Sequence, residues 1–141
     1  MIGASYGPIN AYVAYSQTGV DTNATFNGGI ITPWGGMPAF TQGMVTRHMF
    51  FADTAATKVA ATYKVGDLKA TLAYVSFDLG KDNGYQANAW TATEKLADII
   101  YMWNKDLMLR YRLNMPDKFV EKADGETLGW TELRFIVSYK F

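Results

Sequence analysis

The sequence contains no cysteine, a single histidine, and no long uninterrupted apolar run. Without cysteine there is neither a disulfide framework nor a thiolate metal site. His48 stands next to Arg47, far from any pair of carboxylates at ligand spacing, so no metal centre is expected. A membrane helix needs roughly 18 or more apolar residues in a row, and none is present. The mean hydropathy of −0.08 would suit a soluble protein. Thirteen basic and thirteen acidic residues cancel, which removes any global argument for nucleic acid as a partner. The G-x-S-x-G elbow, the Gly-rich phosphate loop and H-E-x-x-H are also missing, so the sequence offers no basis for an enzyme or for a bound cofactor.

What the sequence does have is aromatic residues, glycine and alternation. Four Trp, nine Tyr and eight Phe exceed the needs of a small soluble core, and Tyr and Trp favour membrane interfaces. The last twelve residues, Trp130 to Phe141, put Leu133, Phe135, Val137, Tyr139 and Phe141 on one side of a strand. Glu132, Arg134, Ile136, Ser138 and Lys140 fall on the other. The same period of two marks Ile9–Ser16, Thr57–Val65, Leu68–Phe77 and Asp106–Met115, and less cleanly Ala97–Trp103. Six strands result, and Met1 to Tyr6 reads as part of a seventh.

Connection lengths alternate as well. Gly7-Pro8, Gly66-Asp67 and Asn104 to Asp106 are short turns, whereas 17–54, 78–92 and 116–128 are long. Short turns on one side and long loops on the other are the habit of outer-membrane barrels, whose alternating strands carry no long hydrophobic block. The expected fold is therefore all-β, an antiparallel up-and-down transmembrane β-barrel, with Phe141 at the periplasmic rim. Six or seven strands fall short of the smallest single-chain barrels, and open edges in lipid cost several kcal/mol per unpaired group. The chain opens without a signal peptide. Both points lead to the expectation that these 141 residues are the C-terminal part of a longer protein.

Strand parity then assigns the charges. Lys58, Lys64, Lys69, Asp98, Arg110, Arg112, Glu132, Arg134 and Lys140 share the face opposite the apolar one and are the candidate pore-lining residues. A charge facing mid-bilayer lipid costs roughly 2 to 4 kcal/mol, which enforces that parity. A basic wall favours anionic solutes, although lysines and arginines also simply solvate a wet sheet face. Arg110, Arg112 and Arg134 are expected to lie close together on neighbouring strands, which needs compensation by water, Glu132 or a solute. Tyr63, Tyr74, Trp103, Tyr111, Tyr139 and Phe141 are expected near strand ends as interfacial girdles. The Gly- and Pro-rich segment 28–40 is expected to fold back over the pore mouth, pack between subunits or pack on itself. Asp78, Asp82 and Asn83 could attract calcium, without matching an EF-hand.

The closing segment Leu133-Arg-Phe-Ile-Val-Ser-Tyr-Lys-Phe141 resembles the C-terminal signature of outer-membrane barrels. That resemblance implies recognition by the barrel-assembly machinery through Phe135, Val137, Tyr139 and Phe141. Thr32 to His48, with Ala11 to Gly19, is similar to the Campylobacter-type major outer-membrane porins, relatives of the OprD-like porins. Membership would imply a bacterial outer-membrane channel of 16 to 18 strands, often a homotrimer, passing small hydrophilic solutes. The chain departs from that pattern in length, and the loop that constricts such pores is not expected within it. The competing expectation is a structural barrel or adhesin whose surface loops bind partners without an open pore.

Overall fold

Two-residue turns set the register at one end of the chain. Gly7 and Gly66 have φ of +54° and +51°, a region where a side chain would be strained, and each closes a tight hairpin. Tyr6 pairs with Ile9 across the first turn, and Val65 with Leu68 across the second. From these turns the alternating sequences extend into long strands. A computed structural model describes residues 1–30, 40–86, 88–121 and 124–141, so most of the segment 28–40 singled out above lies outside the described residues.

The strands are β1 Ile2–Tyr6, β2 Ile9–Thr18, β3 Thr54–Val65, β4 Leu68–Leu79, β5 Trp90–Met102, β6 Leu107–Asp117, β7 Val120–Glu121, β8 Thr127–Leu128 and β9 Glu132–Tyr139. Seven of them form one antiparallel sheet in the order β1-β2-β3-β4-β5-β6-β9, each strand beside its predecessor in the sheet. The fold is all-β and an up-and-down meander, with one 3-10 turn among the described residues, at His48–Phe50. Among the described residues the sheet is not closed: β1 and β9 each pair on one side only. The short β7–β8 hairpin stands apart.

Three expected boundaries need correction. β5 begins at Trp90, seven residues before the expected Ala97, and β4 runs on to Leu79, which shrinks the loop expected at 78–92. The connection expected over 17–54 runs only from Gly19 to Asp53. The connection at 116–128 is partly structured, since β6 extends through Asp117 and the β7–β8 hairpin follows. The error at β4 and β5 has a cause in the sequence: the alternation changes phase near the long-loop end. Along β5, Ala97, Ile99 and Tyr101 carry the apolar side, but beyond them Trp90, Ala92 and Leu96 lie on the opposite side, with Thr91, Thr93 and Lys95 replacing them. A phase change reads as a break in a strand, yet the pairing with β4 continues unbroken to Leu79 and Trp90.

One side of the sheet is a continuous apolar band. Register places Ile9, Tyr63, Ala70, Ile99, Tyr111 and Phe135 in one row across six strands, and Ala11, Ala61, Leu72, Ala97, Leu113 and Leu133 in the next. Large members of this band are exposed, among them Leu72 at 62%, Leu133 at 61% and Phe135 at 67%. The band runs about 20 Å along β4, from Leu68 to Tyr74, and about 26 Å along β6, from Leu107 to Met115. The core lies on the other side, and only toward the long-loop end. There Met49, Phe50, Ala56, Val75, Phe77, Leu79, Trp90 and Ala92 are buried together beneath the returning β2–β3 connection.

Candidate functional site: the polar face of the sheet

The polar face divides into two halves with different chemistry. At the short-turn end it is open and basic. Lys64 and Lys69 stand directly opposite each other beside the Gly66 turn, both exposed. Thr62 and Thr71 join hydroxyls at 2.9 Å one pair further along. The same row continues from Thr71 through Asp98, Arg112 and Arg134, in register across four strands. Asp98 takes a two-pronged contact from Arg110, Nε to Oδ1 at 2.7 Å and Nη2 to Oδ2 at 2.5 Å, and faces Arg112 Nε at 3.5 Å. Arg134 pairs with Glu132 on its own strand. Two carboxylates thus face three clustered guanidinium groups, so the cluster keeps a net positive charge, to which the exposed Lys64 and Lys69 add.

At the long-loop end the same face is covered. Residues 40–51 return across it and are fastened at several points. Ser16 and Thr41 share a hydrogen bond at 2.6 Å, Lys58 donates to the Gln42 carbonyl at 2.5 Å, and Thr18 donates to the Met49 carbonyl at 2.8 Å. The strongest fastening is Glu94, in the middle of β5 and fully buried. Its Oε1 accepts the backbone N–H of Met44 at 2.8 Å and of Val45 at 3.2 Å. Its Oε2 accepts the backbone N–H of Thr46 at 3.0 Å and also the Thr46 hydroxyl. Successive backbone N–H groups that converge in this way form an anion nest, and a buried carboxylate is tolerable because its acceptor capacity is met. Gly43 makes room for it: a Cβ there would run into the Glu94 carboxylate and the Thr46 hydroxyl.

Beyond Glu94 the covering becomes aromatic. His48, 2% exposed, contacts Phe51, Phe77, Trp90 and Phe119, with ring centroids 5.3, 5.5, 6.1 and 4.7 Å away. Its Nε2 donates to the Phe119 carbonyl at 2.9 Å, while Nδ1 is buried without a hydrogen-bond partner. Tyr85 stacks on Phe51 at 4.8 Å, and Trp130 packs edge-on to Phe119. The Trp90 indole donates to the Lys118 carbonyl at 3.0 Å. All three long connections thus meet at one cluster above the sheet. Burial holds the His48 imidazolium disfavoured, lowering its pKa from 6.5; the hydrogen bond to Phe119 and the charge of Glu94 act in the opposite direction and are outweighed.

Register puts eight of the nine charged candidates on one face of the sheet, but they do not form one set. Lys64, Lys69, Asp98, Arg110, Arg112, Glu132 and Arg134 belong to the open half. Lys58 does not, because its ammonium is half-buried under residues 40–51. Lys140 lies past the end of β9, with its backbone N–H on the Asp106 carbonyl. Of the expected girdle, Tyr63, Trp103, Tyr139 and Phe141 cluster toward the short-turn end, and Tyr74 marks the other limit of the band. Tyr111 is a correction: it sits in mid-strand, opposite Ile99 and Phe135. Phe135, Val137, Tyr139 and Phe141 are all exposed on the apolar side.

Asn83 is no free ligand for calcium, since its amide holds the Gly80, Gln86 and Asn88 carbonyls and the Tyr85 and Gln86 amides. Among the described residues no group of His, Asp or Glu is arranged to hold a metal ion. Glu94 and His48 are the residues that sequence reasoning missed as a site. A lone carboxylate on the apolar phase of a strand, flanked by Ala92 and Leu96, was the available signal for Glu94. No family model, no curated protein and no solved structure matches the chain.

Proposed function

We propose that the chain is part of a transmembrane β-barrel of a bacterial outer membrane, whose polar face lines a water-filled channel for passive diffusion of small hydrophilic solutes and ions. The observation that carries this reading is the apolar band. It crosses seven strands, its large residues stand exposed, and on that parity the first charged side chain, Lys95, comes at the long-loop limit of the band beside Tyr74 and Met115. Each large apolar side chain kept in water forgoes about 1.5 to 3 kcal/mol of burial, and monomeric soluble proteins seldom expose a patch of this extent. Lipid satisfies such a band, while the opposite face, with its ionic and hydroxyl groups, suits water.

The open edges of β1 and β9 support a further part of the reading. Their backbone groups need partners in a membrane, supplied by additional strands of a longer chain or by neighbouring copies. The exposed Phe135, Val137, Tyr139 and Phe141 on the last strand are disposed for recognition by an assembly machinery. Reconstitution of the protein in planar bilayers tests the channel: discrete conductance steps are expected, and a bilayer that stays silent at saturating protein removes the transport claim.

A second reading is favoured by one observation, the packing of residues 40–51 over half of the polar face. In that reading the barrel is plugged and serves as a structural or adhesive protein. It predicts silence from the intact protein and conductance only after residues 40–46 are excised.

A further inference from the structure

Beside the hydrogen bonds from Ser16, Lys58 and Thr18, two buried fastenings hold residues 40–51 to the sheet. One is the Glu94 nest, in which every donor has its acceptor. The other is the His48 cage, in which one ring nitrogen does not. With Nε2–H committed to the Phe119 carbonyl, the neutral ring carries a bare lone pair at Nδ1. A second proton would have to enter there, placing an N–H donor and a positive charge among Phe51, Phe77, Trp90 and Phe119 with no acceptor at hand. Release of the segment into water would relieve both penalties.

We propose that residues 40–51 form an acid-released latch: protonation of His48 frees them from the polar face and uncovers its long-loop half. Its meaning for permeation, a channel that widens on acidification, rests on the porin reading above. The latch itself rests on the packing of His48.

Charges of both signs surround the ring. Glu94 on β5 attracts an imidazolium and opposes release. Lys58 on β3 is coupled to that same carboxylate and partly offsets it. Arg47 precedes the histidine in the segment, and Asp117 and Lys118 precede Phe119 in the chain, a pair of opposite sign. β4 contributes Phe77, an uncharged ring. Desolvation is the largest influence and sets the sign. Because the docked histidine has a lowered pKa, docking is at full strength above the free value near 6.5 and is lost as pH falls through the docked value.

His48 is the chain's one histidine, so its imidazole resonances identify themselves in the intact protein. The test follows those resonances by NMR in detergent micelles, together with amide exchange at Met44, Val45 and Thr46, expressed as protection relative to free-chain rates. Protection is expected to fall about fivefold or more between about pH 7.5 and about pH 5, with the same midpoint as the histidine. Unchanged protection, or a midpoint unrelated to the histidine, overturns the proposal. His48→Phe and His48→Gln should each abolish the fall, and an undiminished fall in either folded variant also overturns it. Neither readout involves conductance, so a latch without a channel and a channel without a latch are told apart.

Discussion

The two halves of the polar face share strands, parity and direction, yet one holds Lys64, Lys69, Arg110, Arg112 and Arg134 while the other holds Val75, Phe77, Trp90 and Ala92. What separates them is the returning segment 40–51. Where nothing packs on the sheet, the charged side chains of that parity meet water, interspersed with Thr62, Thr71, Ile100 and Ile136. Where the segment lies across them most are apolar, the Glu94 carboxylate is met by four donors, and Lys58 is tied to the Gln42 carbonyl. Strand parity therefore tells which side a residue faces, but not what waits on that side.

The largest effect that would break this contrast is expected from Glu94→Ala. It strands three backbone N–H groups and a hydroxyl in a buried place, and should weaken the covered half by about 3 kcal/mol or more. The denaturant midpoint of the near-ultraviolet signal from the His48 cluster reads that loss, and a midpoint equal to wild type would remove Glu94 as the anchor. Leu72→Arg tests the other side of the sheet. Placed mid-band, it should cost about 2 to 4 kcal/mol of insertion into lipid vesicles, whereas a solvated face would leave insertion and solubility unchanged.

Gly43→Ala should be milder, at about 1 to 3 kcal/mol, because a methyl group there overpacks the nest without removing an acceptor. Its signature is lost protection at Thr46 with the open half undisturbed; full protection would show that the nest has slack. The smallest effect in stability, within about 1 kcal/mol, belongs to Asp98→Asn, since the Arg110 pair is partly solvated. Its use lies elsewhere. By releasing Arg110 and Arg112 it should shift the reversal potential toward anion selectivity, and an unchanged potential would place those arginines outside the conduction path.

Most of the sheet was legible in the sequence because a half-apolar strand repeats every two residues. All six expected strands and the seventh at Ile2–Tyr6 are present, joined by the expected short turns. The covered half was not legible. Under residues 40–51 the sheet is apolar on both its packed parity and, in part, along the band, so the phase reverses and β5 reads as starting at Ala97 in place of Trp90. Glu94 was hidden for the same reason, since its role depends on donors about fifty positions away. His48 was weighed only as a metal ligand, and nothing local announces an aromatic cage assembled from four separate elements and connections. Fold followed from local periodicity, while the site arose from long-range contact.

The central claim is that the apolar parity meets lipid and the polar parity meets water. The absence of native cysteine allows it to be tested with single introduced thiols at adjacent positions. Thr71→Cys and Leu72→Cys on β4, with Ser138→Cys and Val137→Cys on β9, are reconstituted in vesicles and exposed to a membrane-impermeant thiol reagent. The account predicts prompt labelling at 71 and 138 and protection at 72 and 137. Equal labelling within both pairs would contradict it.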